Sequence, residues 1–374
     1  MSVENKTVPG WYATDMLFHD IARYYESILL PLGLLGNCLS MCVFFGTKLR
    51  YSSCSIYLGA LAISDTGFLV SAFISWLNIM HITNLFNGRG FCQFFTYLGT
   101  VCGFLSVWLV VAFTVERYIA VRWPLRRQSL CTVSRAKTIT MGLTALAIPL
   151  CSPVLLFLKS HEITETLREC ALDFDWQSWA TVYNALDAFI TFVVPLTVIV
   201  IFNTLIARNI YKQDHVRRTL TIESDASINE RNQTSRNRMP QTKVTKMLMV
   251  VSSAFFCLNM PSCVFRLLAF IYDNHNPPLW LVLTQRIAYL LFITSFGINF
   301  ILYCASGQNF RRAMVDMFMR RSDIERNRTF MQTANHGKQY VSEFTRKCNS
   351  TKQTHFVDNA HQQSSQEMQK LPLN

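Results

Sequence analysis

Five ionisable side chains, Asp65, Glu116, Arg117, Asp187 and Arg266, stand in stretches that are otherwise almost wholly apolar. An arginine keeps its proton at any physiological pH, so Arg117 needs a counter-charge or water wherever it lies. Its neighbour Glu116 can supply that charge and hold it. Asp65 falls midway along an apolar run, where a lone carboxylate demands a cation, a proton or hydrogen-bond donors. A sodium ion, which prefers oxygen ligands, would satisfy it. So would protonation with hydrogen bonds to neighbours, and the sequence leaves both open. Asp187 and Arg266 either pair with one another or engage charged groups of a ligand; mutual pairing, with a ligand competing for one partner, is the expected arrangement. No metal-ligand spacing and no nucleophile–base constellation appears, so enzyme chemistry is not expected.

Long apolar spans must position these groups. Of 374 residues 51% are hydrophobic and only 16% charged. Apolar spans recur near residues 27–48, 56–80, 91–121, 138–158, 182–208, 244–272 and 279–303. Each is long enough to cross a bilayer as a helix, at ~20 residues per crossing. Within the third, the stretch from Cys92 to Arg117 rises ~37 Å as a helix, slightly more than a bilayer core. A thiol therefore lies at one membrane face and an acid–arginine pair at the other. The expected fold class is an all-α membrane protein, a seven-transmembrane helix bundle. No separate apolar run precedes the first span, which is expected to serve as the insertion signal.

Basic residues crowd alternate connections: Lys48 and Arg50 after span 1, Arg122 to Lys137 after span 3, and Arg208 to Lys246 after span 5. The others are poor in base, so the amino terminus is expected outside and the carboxyl terminus inside. Much of the net charge of +12 is then membrane-proximal rather than a nucleic-acid footprint. Most of the twelve cysteines lie within spans and act as small apolar residues. Cys92 and Cys170 lie on the outer side, where a bridge would tie the loop after span 4 across the bundle; two free thiols are the alternative. Asn5-Lys6-Thr7 is a glycosylation sequon on that side. The sequons at Asn232, Asn327 and Asn349 fall on the inner side and should be silent.

Several motifs recur in order along these spans: Gly36-Asn37, Leu61-Ala62-Ile63-Ser64-Asp65, Glu116-Arg117-Tyr118, Pro195, Phe255 with Pro261, and Asn299 to Tyr303. On them the chain resembles the rhodopsin-like (class A) G-protein-coupled receptors over residues 27–320. Its variants in spans 6 and 7 resemble invertebrate neuropeptide receptors of the FMRFamide and myosuppressin type. The resemblance implies an outer segment over 1–26, a receptor domain over 27–320 with a membrane-surface helix after span 7, and a disordered tail over 321–374. It implies that Glu116, Arg117, Tyr118, Asn299 and Tyr303 serve activation and G-protein coupling. Asp65, Ser106, Ser295 and Asn299, with Asn37 nearby, are the positions that could hold a sodium ion. The implied ligand-binding positions are Trp76, Thr96, Thr100, Asp187, Arg266, Gln285 and Tyr289. Span 4 lacks a central tryptophan, and Asn203 replaces a tyrosine of span 5. Asn259 replaces a tryptophan of span 6, and Phe300 a proline of span 7, which should leave span 7 straighter.

Gly99 stands where receptors for biogenic amines carry an aspartate, which argues against a monoamine, and Gly103 deepens the same face. Acidic residues of the loop after span 4 (Glu162, Glu165, Glu169, Asp173, Asp175) and of the amino-terminal segment (Glu4, Asp15, Asp20, Glu26) would steer a cationic ligand inward. A short basic peptide is the expected ligand, with a lipid or other non-peptide agonist, or ligand-independent signalling, as alternatives within the same fold. A seven-span transporter would show internal repeats, and none is evident. Heterotrimeric G proteins are the expected inner partner, the tail hydroxyls would serve receptor kinases and arrestin, and residues 310–318 would lie on membrane lipid.

Overall fold

The computed structural model describes residues 10–162, 168–222, 228–271 and 279–319. The chain falls into two units, Met1–Met314 and Val315–Asn374, and all seven spans belong to the first. The sequons at Asn5, Asn327 and Asn349, residue Glu165 and the expected tail lie outside the described residues.

Among the described residues seven helices are long and apolar enough to cross a membrane: Phe18–Gly46, Ser53–Ile79, Phe91–Arg122, Val133–Phe157, Phe174–Lys212, Met247–Arg266 and Trp280–Gly297. Hydrocarbon offers backbone groups no water, so such segments satisfy themselves as helices. Span 3 is the most buried of the seven. Span 1 belongs to a helix that begins at Gly10, so Asp20, Arg23 and Glu26 sit on a helix and not in a loose leading segment. After span 7 a further helix covers residues 308–319.

Lipid tails are as apolar as leucine, so close packing and inter-helix hydrogen bonds must hold the helices together. Side-chain donors from one span repeatedly take a backbone carbonyl of the next. Asn37 donates to Phe296 O at 2.9 Å, Ser64 to Cys102 O at 2.7 Å, Ser71 to Phe95 O at 2.5 Å and Ser262 to Ala288 O at 2.6 Å. Such bonds contribute about 0.6 kcal/mol each on average, so their number matters more than any one. Span 4 lacks its tryptophan, and Trp108 and Phe104 of span 3 pack with Ala147 and Cys151 in its place. Pro153 frees the Pro149 carbonyl, which the Ser152 hydroxyl takes up at 2.8 Å.

Span 7 is not straight. It divides into Leu279–Gly297 and Asn299–Ser306, although Phe300 replaces the expected helix breaker. Two side chains enter the helical ladder instead. Asn37 of span 1 takes the Phe296 carbonyl, the one the Phe300 N–H would use, and Asn299 Nδ2 reaches Ser295 O at 3.4 Å. Insertion of polar side chains breaks a helix as effectively as a proline. Span 5 carries a second irregularity, a π-helical turn over Phe189–Val193 in which the Val194 N–H reaches Phe189 O. Pro195 follows, unable to donate, and the wider turn accommodates it.

The loop after span 4 departs from an all-helical chain. Strand β1 (Leu158–Glu162) pairs antiparallel with β2 (Arg168–Leu172), Ser160 facing Cys170. The expected Cys92–Cys170 bridge is present, with Cα atoms 5.8 Å apart. Asn87 adds two ties: its carbonyl accepts from Ser160 Oγ at 2.6 Å and its Oδ1 from the Cys170 N–H at 3.3 Å.

Spans 1 and 7 meet at Gly33 and Gly297. A Cβ on Gly33 would lie 3.0 Å from the Gly297 Cα, an approach only glycine permits. Gly33→Val is therefore expected to cost about 1–3 kcal/mol, read as a lower thermal midpoint of the detergent-solubilised protein. An unchanged midpoint would show that this crossing is not tightly packed.

Candidate functional site

At the hairpin end the bundle opens into a cavity of about 460 Å³. Spans 2, 3, 5, 6 and 7 line it. Thr96, Thr100, Asp187, Arg266, Gln285 and Tyr289, six of the seven expected ligand positions, reach its wall. Gly99 and Gly103 line it too, so the space read from their missing side chains is present. Trp76 does not reach the cavity. It stacks on Phe73 and donates its indole N–H to Arg23 O at 3.2 Å, so it fastens span 2 to span 1. Its large ring finds a neighbouring backbone acceptor behind the wall. The aromatic wall that sequence reading missed is Phe68, Phe104, Phe192, Phe265 and Phe292; phenylalanines are too common in apolar spans to signal a pocket.

Asp187 and Arg266 pair across spans 5 and 6. Arg266 Nη1 lies 3.1 Å from Asp187 Oδ2, and its Nη2 donates to Asn184 Oδ1 at 2.7 Å. Thr191 Oγ1 donates to the other Asp187 oxygen at 2.9 Å, and the guanidinium lies over the Phe192 ring at 5.2 Å. Asn184 and Thr191, one turn either side of Asp187, carried no sequence signal. The pair is partly exposed to the cavity, so a charged ligand group can compete for either partner.

The rim is less acidic than its composition. Glu162 Oε1 accepts from Arg89 and Arg168, each at 2.8 Å, and Asp173 lies 3.7 Å from Lys159. The Arg89 tie holds the hairpin to the turn just before span 3, and together these ties spend acid that would otherwise attract a cation.

Midway along the bundle Asp65 is fully buried. Ser106 Oγ donates to its Oδ1 and Asn299 Nδ2 to its Oδ2, both at 2.7 Å. Ser295, expected beside it, turns its hydroxyl to Phe292 O at 2.7 Å, because a helical serine readily bonds its own preceding turn. Each carboxylate oxygen thus faces a donor. The Asp65 carboxylate and the Ser106 hydroxyl supply oxygen at this point, and Asn299 presents its amide nitrogen.

At the opposite end Arg117 Nη2 contacts Glu116 Oε1 at 2.5 Å, and both residues are buried. Ser53, at the start of span 2, donates to the same carboxylate oxygen at 2.6 Å; a serine there reads as an ordinary helix-cap residue, so its role was not legible. Arg117 Nε has no hydrogen-bond partner among the described residues. Tyr118 packs edge-on against Phe202 at 5.1 Å. Asn203 bonds Ser252 Oγ at 3.0 Å across spans 5 and 6. Tyr303 is fully buried against Phe44 and Phe310, its hydroxyl unpartnered.

The rim clamp has a defined pH dependence. Arg89, by hydrogen bond and charge, and then Arg168 hold the Glu162 carboxyl below its ordinary range. A depressed carboxylate contributes wherever it is ionised, so the clamp fails only as pH drops below about 4. Hairpin amides are expected to show equal protection from hydrogen exchange at about pH 7.4 and 5.5 after intrinsic-rate correction. Glu162→Gln should lower protection at both; protection that fades by about pH 5.5 in the native chain would refute the clamp.

The profile described as "7 transmembrane receptor (rhodopsin family)" matches residues 36–305. The chain is similar to the thyrotropin-releasing hormone receptor of Gallus gallus, 29% identical over 308 residues, covering 76% of this chain and 75% of that one. It is similar to the GQ-coupled rhodopsin of Mizuhopecten yessoensis, 24% identical over 303 residues, covering 79% and 59%. The FMRFamide receptor of Drosophila melanogaster is 23% identical over 339 residues, covering 85% and 56%. Seven membrane-crossing helices, the bridged hairpin and a match over most of the chain place this protein in the rhodopsin family of seven-transmembrane receptors, as a receptor and not an enzyme.

Proposed function

We propose that the chain is a plasma-membrane receptor for an extracellular neuropeptide and transmits binding to heterotrimeric G proteins. The hairpin end faces outside and the Arg117 end the cytoplasm, in keeping with the basic connections after spans 1, 3 and 5. The cavity carries this reading: about 460 Å³, the size of a pocket for a small ligand, lined by aromatic rings, threonines and one ion pair. A peptide has the amides, carbonyls and charged ends that such a wall can bind. Gly99 leaves no fixed counter-ion on span 3 for a monoamine. Relatives named for thyrotropin-releasing hormone and FMRFamide support a peptide.

The route inward uses the chain's own contacts. A ligand that competes for Asp187 or Arg266 loosens spans 5 and 6 where they meet at the cavity. Span 6 carries Pro261, which interrupts its hydrogen-bond ladder and allows it to bend. Its movement alters the Asn203–Ser252 contact and opens the inner face beside Arg117. Freed from Glu116, the guanidinium can turn to an inserted partner helix. The Asp65–Asn299–Ser106 bonds join spans 2, 3 and 7 between the two ends.

Intracellular calcium and cyclic AMP, measured in cells expressing the chain and challenged with amidated basic peptides, test the reading. A response lost in Arg117→Ala and weakened in Asp187→Asn, at equal surface display, is the expected outcome. Silence across the set at normal display would overturn the peptide assignment. Removing one partner of a buried ion pair costs about 3–5 kcal/mol, so Glu116→Gln is expected to raise ligand-independent signalling several-fold. Unchanged basal activity would mean that the pair is structural.

A further inference from the structure

Span 1 turns one stripe inward, at positions 26, 30, 33 and 37, spaced as one helical face requires. Leu30 packs with Leu69, Ile293 and Phe296, Gly33 abuts Gly297, and Asn37 donates to Phe296 O. The stripe therefore faces spans 2 and 7. One turn beyond Leu30 on span 1 is Glu26, and one turn beyond Ile293 on span 7 is Tyr289, which lines the cavity. The two lie within electrostatic reach of each other. Neighbouring bonds fix this turn of span 1 in place: Tyr25 to Thr294 Oγ1 at 2.6 Å and Trp76 to Arg23 O at 3.2 Å.

Glu26 is only 9% exposed. No ion pair or hydrogen bond to its carboxylate is found among the described residues. Burying a carboxylate without a counter-charge is costly, and leucine would suit the stripe better. Asp187, the acid on the cavity wall, differs, since it already has Arg266 and Thr191; Glu26 stands behind Tyr289, one helix back from that wall. The carboxyl without a partner therefore stands at the Tyr289 side, away from span 5.

We propose that Glu26 is the counter-charge for a cationic group of the ligand, an ammonium or guanidinium that settles beside Tyr289 between spans 1, 2 and 7. The Tyr289 ring offers that cation a π face as well. This rests on the peptide-receptor reading and adds to it the residue and the side of the cavity that select positive charge. It also explains how the pocket can favour a basic ligand while two rim acids, Glu162 and Asp173, are spent on Arg89, Arg168 and Lys159.

The test uses full-length receptor on cells and amidated tetrapeptides in matched pairs, arginine against citrulline and lysine against norleucine. Native receptor should respond to the charged twin at about tenfold lower concentration. Glu26→Gln should abolish that preference by weakening the charged twin and leaving the neutral one unchanged, at equal surface staining. Glu26→Asp should keep the preference, and Glu26→Ser gives the same reading if the glutamine variant is not displayed. Three results would overturn the assignment: no charge preference in the native receptor, a preference that survives loss of the carboxylate, or one abolished by Asp187→Asn alone. In each of these the peptide reading stands. A native receptor displayed normally but silent to every peptide would remove that reading and this one together.

Discussion

A polar group between the two faces of this bundle is costly unless protein partners it, because hydrocarbon supplies no donor or acceptor. The architecture follows from that constraint. Apolar packing alone does not choose one arrangement of seven greasy helices, since each side chain would be about as content in lipid. Hydroxyl and amide groups do choose, because each must meet one carbonyl or carboxylate on one neighbour. Asp65 is the strongest case, drawing Ser106 of span 3 and Asn299 of span 7 to one buried carboxylate on span 2. The same demand breaks span 7 without a proline, where Asn37 captures a carbonyl that the helix would otherwise use itself.

The two ends solve the same electrostatic problem with different firmness. At the end away from the hairpin Glu116 and Arg117 are buried together, with Ser53 on the carboxylate, and separating them costs a great deal unless another partner arrives. At the cavity Asp187 and Arg266 are paired but partly exposed, so exchange for a ligand group is cheap. One end is open to small changes and the other responds only to large ones, as a receptor that resists spurious signalling requires. Glu26 stands outside this pattern as a buried acid with no cation assigned to it.

Much of this was legible in the residues themselves. The seven spans follow from apolar length, the Cys92–Cys170 bridge from two cysteines on one side, and the Glu116–Arg117 contact from adjacency in an apolar run. Six of the seven positions that the family resemblance implied line the cavity. Trp76 was not, because whether a ring faces a cavity or a neighbouring helix depends on rotation by a fraction of a turn. The hairpin was missed because five-residue strands held by a disulfide and by Asn87 carry little alternation of their own. Span 7 read as straighter than usual because a missing proline is visible in sequence, whereas an asparagine from another helix is not.

The sequence by itself determined which segments cross the membrane and which charges must be neutralised there, since both depend on local composition against a water-free medium. Only the tertiary structure decided the other partners: Ser53 for Glu116, Ser252 for Asn203, Thr191 for Asp187, and none for Glu26 among the described residues. Partners are set by helix rotation, by the Gly33–Gly297 approach and by the irregular turns of spans 5 and 7. Those come from contacts between residues remote in the chain, and no local window of sequence contains them.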